Sequence, residues 1–238
     1  MRSLRQAPVL LEVCNLSADF LTPGEAPAHA LADINFTLRE GEVLGIVGES
    51  GCGKTTLMLS LMRLLPANGR IVSGQVNFMN TDLLSLSERE MGDVRWKNIA
   101  MIFQGAMNAL NPVHTVGRQI AEAIIQHNYI TDQKRVTERV VELLELVGIG
   151  AERKDQYPHQ YSGGMRQRAM IAMALACNPQ VVIADEPTTA LDVMIQAQIL
   201  ELLAKLRDKL GLSILFVTHD LGVVAEMCDT VLVMYGGV

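Results

Sequence analysis

The sequence predicts an α/β protein with a parallel sheet, a smaller antiparallel sheet and an inserted helical segment. Apolar, β-branched runs alternate with helical patterns in Val43–Leu64 and again from Met165 onward, which is typical of parallel strands covered by helices. From about residue 108 to residue 160 the pattern is helical with no convincing strand, and this predicts the inserted subdomain. The N-terminal strands, together with Ile71–Phe78, predict the antiparallel sheet.

The individual elements follow from the spacing of apolar residues. Runs bounded by turn residues predict strands at Val9–Val13, Ile34–Leu38, Val43–Val47, Ile71–Phe78, Ile99–Phe103, Val181–Ala184, Ile214–Thr218 and Val231–Met234. Helical spacing predicts helices at Lys54–Leu64, Val116–Gln126, Val136–Leu146, Met165–Ala176, Ile195–Leu210 and Leu221–Cys228. Ser87, followed three residues later by Glu90, predicts a capping box that opens one more helix.

Length, composition and charge exclude several classes of protein. The 238 residues suit one large domain or one domain with a subdomain. No apolar stretch approaches the ~20 residues that span a bilayer. The formal net charge of −6 argues against a nucleic-acid binder that neutralises many phosphates. We expect a soluble, cytoplasmic protein without a secretory signal.

Two further features of the sequence concern its cysteines and its end. The four cysteines lack ligand-like spacing, so reduced, mostly buried thiols are favoured over a metal site or disulfides. The sequence stops at Val238, directly after a buried-looking strand and Gly236-Gly237. Because domains rarely end in this way, we expect the natural protein to continue.

A phosphate-binding motif, G-x-x-x-x-G-K-[ST], occupies Gly48–Thr55, between the strand Val43–Val47 and a helix. Glycines let backbone amides turn toward phosphate oxygens, and the helix start adds positive potential. Lys54 would reach the outer phosphates, and the Thr55 hydroxyl would bind Mg²⁺. An ordinary glycine turn is the alternative, which the lysine, the threonine and the context disfavour. The expected nucleotide contacts are Gly48, Glu49, Ser50, Gly51, Cys52, Gly53, Lys54, Thr55 and Thr56.

Two carboxylates, Asp185 and Glu186, follow the apolar strand Val181–Ala184. Ligands bind at the carboxyl ends of parallel strands, so Asp185 would hold Mg²⁺ through its water shell and Glu186 could polarise an attacking water. Alone, an acidic pair at a strand end is often a solvated loop. After a phosphate-binding loop it becomes a strong signal.

A third motif, Tyr161-Ser162-Gly163-Gly164-Met165-Arg166-Gln167, precedes a long helix. Ser162 can cap this helix, and the glycines permit close approach of an anion. In order with the other two motifs it resembles the signature of ABC-transporter ATP-binding domains, in which Ser162, Gly163, Gly164 and Met165 would contact nucleotide. The family's usual form has leucine and glutamine where this chain has Tyr161 and Met165, and Met165 is a common variant among peptide importers.

The resemblance extends over the whole chain and implies roles for further residues. Gln104 matches the glutamine that touches Mg²⁺ and links the site to the helical subdomain. Thr189-Ala190-Leu191-Asp192 matches the loop that crosses the dimer interface, and His219 matches the switch histidine facing the terminal phosphate. Taken singly, Gln104 and His219 would be ordinary polar residues. Phe20 is a candidate for stacking on adenine, although a core role is as well supported.

The family also implies an architecture and partners. It is a P-loop NTPase (RecA-like) core formed by 1–104 and 165–238, with a helical subdomain at 105–164. Two such domains, identical or related, would pair head to tail and sandwich ATP with Mg²⁺. They would drive permease subunits at the cytoplasmic face of the membrane and serve a solute-binding protein indirectly. The stretches Ala109–Pro112 and Ile171–Ala174 are most similar to dipeptide, oligopeptide and nickel importers.

Two rival classes are a non-transport ABC ATPase, acting in DNA repair or translation, and a generic P-loop enzyme such as a kinase. The first would carry long coiled-coil insertions or tandem cassettes, which the sequence lacks, and the net charge disfavours a polyanion partner. If the chain were a generic P-loop enzyme, the presence of the signature motif and of His219 would be coincidental. Co-purification with a multi-span membrane protein, rather than with DNA or ribosomes, distinguishes transport from the first rival. The transported solute is not encoded in this chain.

Overall fold

The computed structural model describes residues 6–103, 105, 109–127, 129–189 and 191–238. The chain divides into two compact units, one comprising the chain up to Met91 together with Ser213–Val238 and the other comprising Gly92–Leu212. The predicted helical subdomain, 105–164, falls within the second unit, and its boundaries stay a prediction.

The secondary structure alternates in the way that the sequence predicts. In chain order the helices and strands are β1 (Val9–Phe20), β2 (Ala28–Arg39), β3 (Val43–Gly48), α1 (Lys54–Leu61), β4 (Gly69–Phe78), β5 (Thr81–Asp82), α2 (Glu88–Val94), β6 (Ile99–Ile102), α3 (Val116–Gln126), α4 (Gln133–Leu146), α5 (Gly163–Ala174), β7 (Val181–Asp185), α6 (Val193–Leu210), β8 (Ser213–Val217), α7 (Leu221–Met227) and β9 (Thr230–Met234). Two short 3₁₀ turns, Ala151–Arg153 and Pro158–Gln160, precede α5.

The antiparallel sheet lies in the first unit and has the strand order β2-β1-β4-β5. Its central strand β1 is longer than the predicted Val9–Val13 because the register shifts between Val13 and Leu16. Asn15 adopts a left-handed φ of 50° at this point. Such a bulge resets the alternation of inward and outward side chains, so the apolar pattern ends before the strand does.

Parallel strands occur in both units, as predicted. In the first unit β3 pairs with β8 on one side and with β9 on the other. In the second unit β6 pairs with β7. All five residues of β7 and all five of β8 are buried, which explains why both strands read as continuous apolar runs rather than alternating ones.

Polar side chains define the starts of several helices. Ser87 and Glu90 form the predicted capping box, because the Ser87 amide donates to Glu90 Oε2 at 2.8 Å and the Glu90 amide donates to Ser87 Oγ at 3.3 Å. Asp132 caps α4 by accepting from the Arg135 amide at 2.9 Å. That cap starts α4 three residues before the predicted position.

Burial also sets the state of two thiols. Cys177 is buried and Cys228 half-buried, and burial raises the pKa of each thiol to about 11. Both are therefore neutral at physiological pH. Among the described residues, no helix has the length and apolarity needed to cross a bilayer.

Helix α6 offers a matched test of the core. Leu203 is 2% exposed and Leu210 is 39% exposed, so Leu203→Ala should lower the free energy of unfolding by about 2–5 kcal/mol. Leu210→Ala should change it by less than about 1 kcal/mol. Urea unfolding of both variants measures the difference, and equal losses would contradict the assigned inner face of α6.

Candidate nucleotide-binding site

The phosphate-binding motif forms the turn between β3 and α1. Gly51 and Gly53 have φ angles of 83° and 103°, a left-handed backbone that glycine adopts without steric cost. Gly53 occupies the cap position of α1, where it provides no side-chain hydrogen bond, and the first turn of α1 carries no acidic residue. The positive end of the helix is therefore left for an anion.

Close packing dictates glycine at two positions of this turn. A Cβ atom at Gly48 would lie 2.3 Å from the Met234 carbonyl oxygen, and one at Gly53 would lie 2.8 Å from the Ala30 carbonyl oxygen. The Gly237 amide donates to the Cys52 carbonyl at 3.1 Å. The segment after β9 and part of β2 thus pack against the turn. The sequence motif does not reveal these contacts.

Lys54 lies inside this turn. Its ammonium group donates to the carbonyls of Gly48 at 2.7 Å and Glu49 at 2.8 Å, and contacts Cys52 Sγ at 3.7 Å. The residue is only 7% exposed. One cation is thus held among backbone carbonyls at the mouth of the loop, with Thr55 exposed beside it. This arrangement fits a phosphate-bearing ligand and a magnesium ion held through the Thr55 hydroxyl.

His219 lies at the same edge of the parallel sheet as this turn. Strands β3 and β8 run parallel with Ile46 opposite Val217. Gly48, which ends β3, and His219, which follows β8, therefore lie at the same edge of the sheet. His219 is exposed, and the turn that carries it is fixed by the Asp220 amide, which donates to Thr218 Oγ1 at 3.1 Å.

Phe20, the candidate for adenine stacking, ends strand β1. It pairs with Ala28 and Gly69 on the neighbouring strands. A Cβ atom at Gly69 would lie 3.0 Å from the Phe20 ring, so the ring packs against that glycine. The side chain is half-buried, and its role toward adenine stays a prediction.

The acidic pair lies in the second unit. Asp185 ends β7 and is 2% exposed. Glu186 follows with a φ of 46°, a left-handed conformation that costs a residue with a Cβ atom roughly 1–3 kcal/mol. The Thr189 hydroxyl donates to Glu186 Oε2 at 2.9 Å, and the Thr189 amide donates to the Glu186 carbonyl at 3.2 Å. The strained residue is therefore held from both its backbone and its side chain.

The loop after this pair leads into α6, whose first turn fixes it. Asp192 caps α6 by accepting from the Ile195 amide at 3.0 Å. Gln196 Nε2 donates to the carbonyls of Thr188 at 3.3 Å and Leu191 at 3.1 Å. Sequence reasoning missed Gln196, since a glutamine within a helix gives no signal of its own.

The signature motif forms the start of α5. Ser162 is exposed and caps the helix by accepting from the Met165 amide at 3.3 Å. Gly164 is required because a Cβ atom there would lie 2.8 Å from Ile195 Cγ2. Ser162 is thus exposed at the start of a helix whose Gly164 is buried against α6.

Tyr161, which replaces the usual leucine of the signature, anchors that turn. Its hydroxyl donates to the Arg153 carbonyl at 3.0 Å, and its own carbonyl accepts from Arg166 Nη1 at 2.8 Å. Burial raises the pKa of Tyr161 to about 12, so the phenol remains a neutral donor. The replacement therefore adds a hydrogen bond to a position that would otherwise be only apolar.

The structure thus gathers the predicted site residues in two groups. The glycine turn and His219 lie in the first unit, and the acidic pair and the signature lie in the second. Gln104 and Ala190 lie outside the described residues, so the expectation for Gln104 stays a prediction.

Comparison with known proteins identifies the family. The ABC transporter family matches residues 31–189. The probable peptide ABC transporter ATP-binding protein y4tR of Sinorhizobium fredii is 54% identical over 240 residues, which cover 100% of this chain and 71% of that protein. The oligopeptide transport ATP-binding protein OppD of Bacillus subtilis is 53% identical over 231 residues, which cover 96% of this chain and 64% of OppD.

Solved structures give the same answer for the fold. The post-hydrolysis dimer of the ATP-binding cassette MJ0796, bound to ADP and Pi, is similar with a TM-score of 0.83 and 30% identity, covering 96% of this chain and 95% of that one. The chain belongs to the ABC transporter family, and the predicted cassette fold is confirmed. The non-transport alternative is not favoured. The chain spans only 64% to 71% of the length of the two relatives.

The two left-handed glycines of the turn allow a matched test. Gly51→Ala introduces only backbone strain, since nothing lies within 4 Å of its Cβ position. Gly53→Ala adds a clash with the Ala30 carbonyl oxygen. Both variants should be less stable than the wild type, by about 1–2 kcal/mol for Gly51→Ala and by more for Gly53→Ala. Thermal unfolding of the nucleotide-free protein compares them, and equal stability would contradict the packing of β2 on the turn.

Proposed function

We propose that this chain is the ATP-hydrolysing subunit of an importer for dipeptides or oligopeptides. The observation that carries the ATPase part is a glycine turn that encloses the Lys54 ammonium group. The buried Asp185 and the left-handed, hydrogen-bonded Glu186 at the end of β7 support it. The cargo is supported by the names of the relatives, which describe peptide transport proteins. Nickel as an alternative cargo stays a prediction.

Each group would act on one part of the nucleotide. The glycine turn and Lys54 would hold the phosphates, with Thr55 and Asp185 as the magnesium ligands and Gln104 assisting. When bound, Mg²⁺ supplies charge neutralisation of the phosphates. Phe20 would stack on the base.

Glu186 is the group suited to activate water. A carboxylate can accept the proton of an attacking water, or orient that water toward the terminal phosphate. His219, exposed at the end of β8, would donate a hydrogen bond toward the same phosphate from the edge of the sheet that carries the glycine turn. Both residues follow strand ends, which is where α/β proteins place reacting groups.

A second copy of the domain would complete each site. Phosphate charge would be neutralised by donors on two sides, and Ser162 is exposed at the start of α5. The solved relative MJ0796 is dimeric. We infer that two domains, identical or related, pair head to tail with nucleotide between the glycine turn of one and the signature of the other.

The motion that accompanies pairing of the two domains would be transmitted to membrane partners. Hydrolysis would remove the charge that holds the two domains together, and the helical region would transmit the resulting motion to permease subunits. The protein would then sit at the cytoplasmic face of the membrane as a peripheral subunit, with a solute-binding protein acting indirectly. No nucleic acid is involved.

Glu186→Gln tests the chemistry. The amide cannot accept a proton, so ATP turnover should fall by at least about 100-fold, in the range of a lost general base, while ATP binding remains. Lys54→Ala should instead weaken ATP binding. Phosphate release and binding of a fluorescent ATP analogue separate the two effects, and normal turnover by the Glu186→Gln protein would remove this residue from the role of base.

Ser162 tests the shared site in the Glu186→Gln background. Aspartate and asparagine both cap helices well, so Ser162→Asp and Ser162→Asn should preserve α5. Only the aspartate repels phosphate, so it should abolish an ATP-dependent dimer that the asparagine variant still forms. Light scattering after gel filtration, with and without ATP, measures this. Equal dimerisation of the two variants would place Ser162 away from the nucleotide.

A further inference from the structure

The loop that follows the acidic pair holds Glu186 in position through hydrogen bonds from Thr189. Glu186 keeps a left-handed backbone without being glycine. Such conformations persist only where surrounding contacts determine them. The contacts in question are those of Thr189, which reaches both the carboxylate and the carbonyl of Glu186.

The Thr189 hydroxyl gives the carboxylate one preferred orientation. A hydrogen bond of 2.9 Å to Oε2 fixes one oxygen of Glu186. Because the carboxylate is planar, the direction of its second oxygen is then restricted as well. Bonds from a donor to an ionised acceptor are about twice as strong as neutral ones. Valine at position 189 would have a similar shape but no donor.

Gln196 holds Thr189 in place through the backbone on either side of it. Its side-chain amide donates to the carbonyls of Thr188 and Leu191. Gln196 itself stands on the first turn of α6, and this helix is anchored by buried residues further along, including Ile199, Leu203 and Leu206. One side chain thus connects the first turn of α6 to the loop that carries Thr189.

We propose that Thr189 and Gln196 are positioning residues for hydrolysis: Gln196 fixes the loop and Thr189 orients the Glu186 carboxylate toward the attacking water. The inference rests on the proposed role of Glu186. Small misplacements of reacting groups cost up to about 100-fold in rate, so these two side chains should affect turnover much more than nucleotide binding.

Thr189→Val tests the orienting hydrogen bond in the full chain. Its kcat for ATP hydrolysis should fall roughly tenfold with KM changed by less than about twofold. Thr189→Ser restores the hydroxyl and should return kcat to within about twofold of the wild type. Thr137 on α4 is the matched control, because its hydroxyl donates within its own helix, to the Gln133 carbonyl at 3.0 Å. Thr137→Val should leave both parameters unchanged.

Gln196→Met tests the fixed loop by removing the amide while keeping the length of the side chain. It should lower kcat in the same way, whereas Gln198→Met, the same exchange two residues further along α6, should not. If Gln196→Met does not fold, the threonine series decides alone.

Several outcomes would overturn the proposal. These are wild-type kcat in Thr189→Val, equal defects in Thr189→Val and Thr189→Ser, or a loss that appears in KM rather than kcat. A wild-type protein whose ATPase activity is absent, or is unchanged by Glu186→Gln, would instead refute the proposed function and is recognised separately.

Discussion

The site depends on a glycine turn that is packed too closely against neighbouring backbone to carry side chains at two positions. At Gly48 and Gly53 a single added carbon would meet a carbonyl oxygen of a neighbouring segment. The turn can therefore lie directly against strand ends and surround the Lys54 ammonium with its own carbonyls. The same small volume would let phosphate oxygens approach the amides. The absence of side chains permits the close packing of the turn, and the same absence would permit the binding of an anion.

The sequence predicted this region well because its signals are local. A buried strand, a glycine turn and a helix start follow one another within about twenty residues, and each has its own chemical signature. Strands β7 and β8 were likewise recognisable because they are buried on both faces and apolar throughout. The helix starts at Ser87 and Ser162 were visible from their capping residues.

What the sequence did not reveal depends on contacts between distant segments or on irregular backbone. The bulge at Asn15 hides the second half of β1, because the alternation of side chains changes sides there. The support of the turn by Gly237 and Ala30 joins residues far apart in the chain. Gln196 belongs to no motif, and the role proposed for it follows from the two carbonyls to which its amide donates.

With the role proposed for Glu186, its left-handed backbone would set stability against activity at one residue. Glycine would relax that backbone, and the folded chain would be easier to maintain without the carboxylate. On that proposal, Glu186→Gly would be an inactive variant with a higher unfolding temperature. Selection for stability alone, without selection for ATP turnover, would favour replacement of Glu186. A protein optimised for expression or shelf life should be checked at this position first.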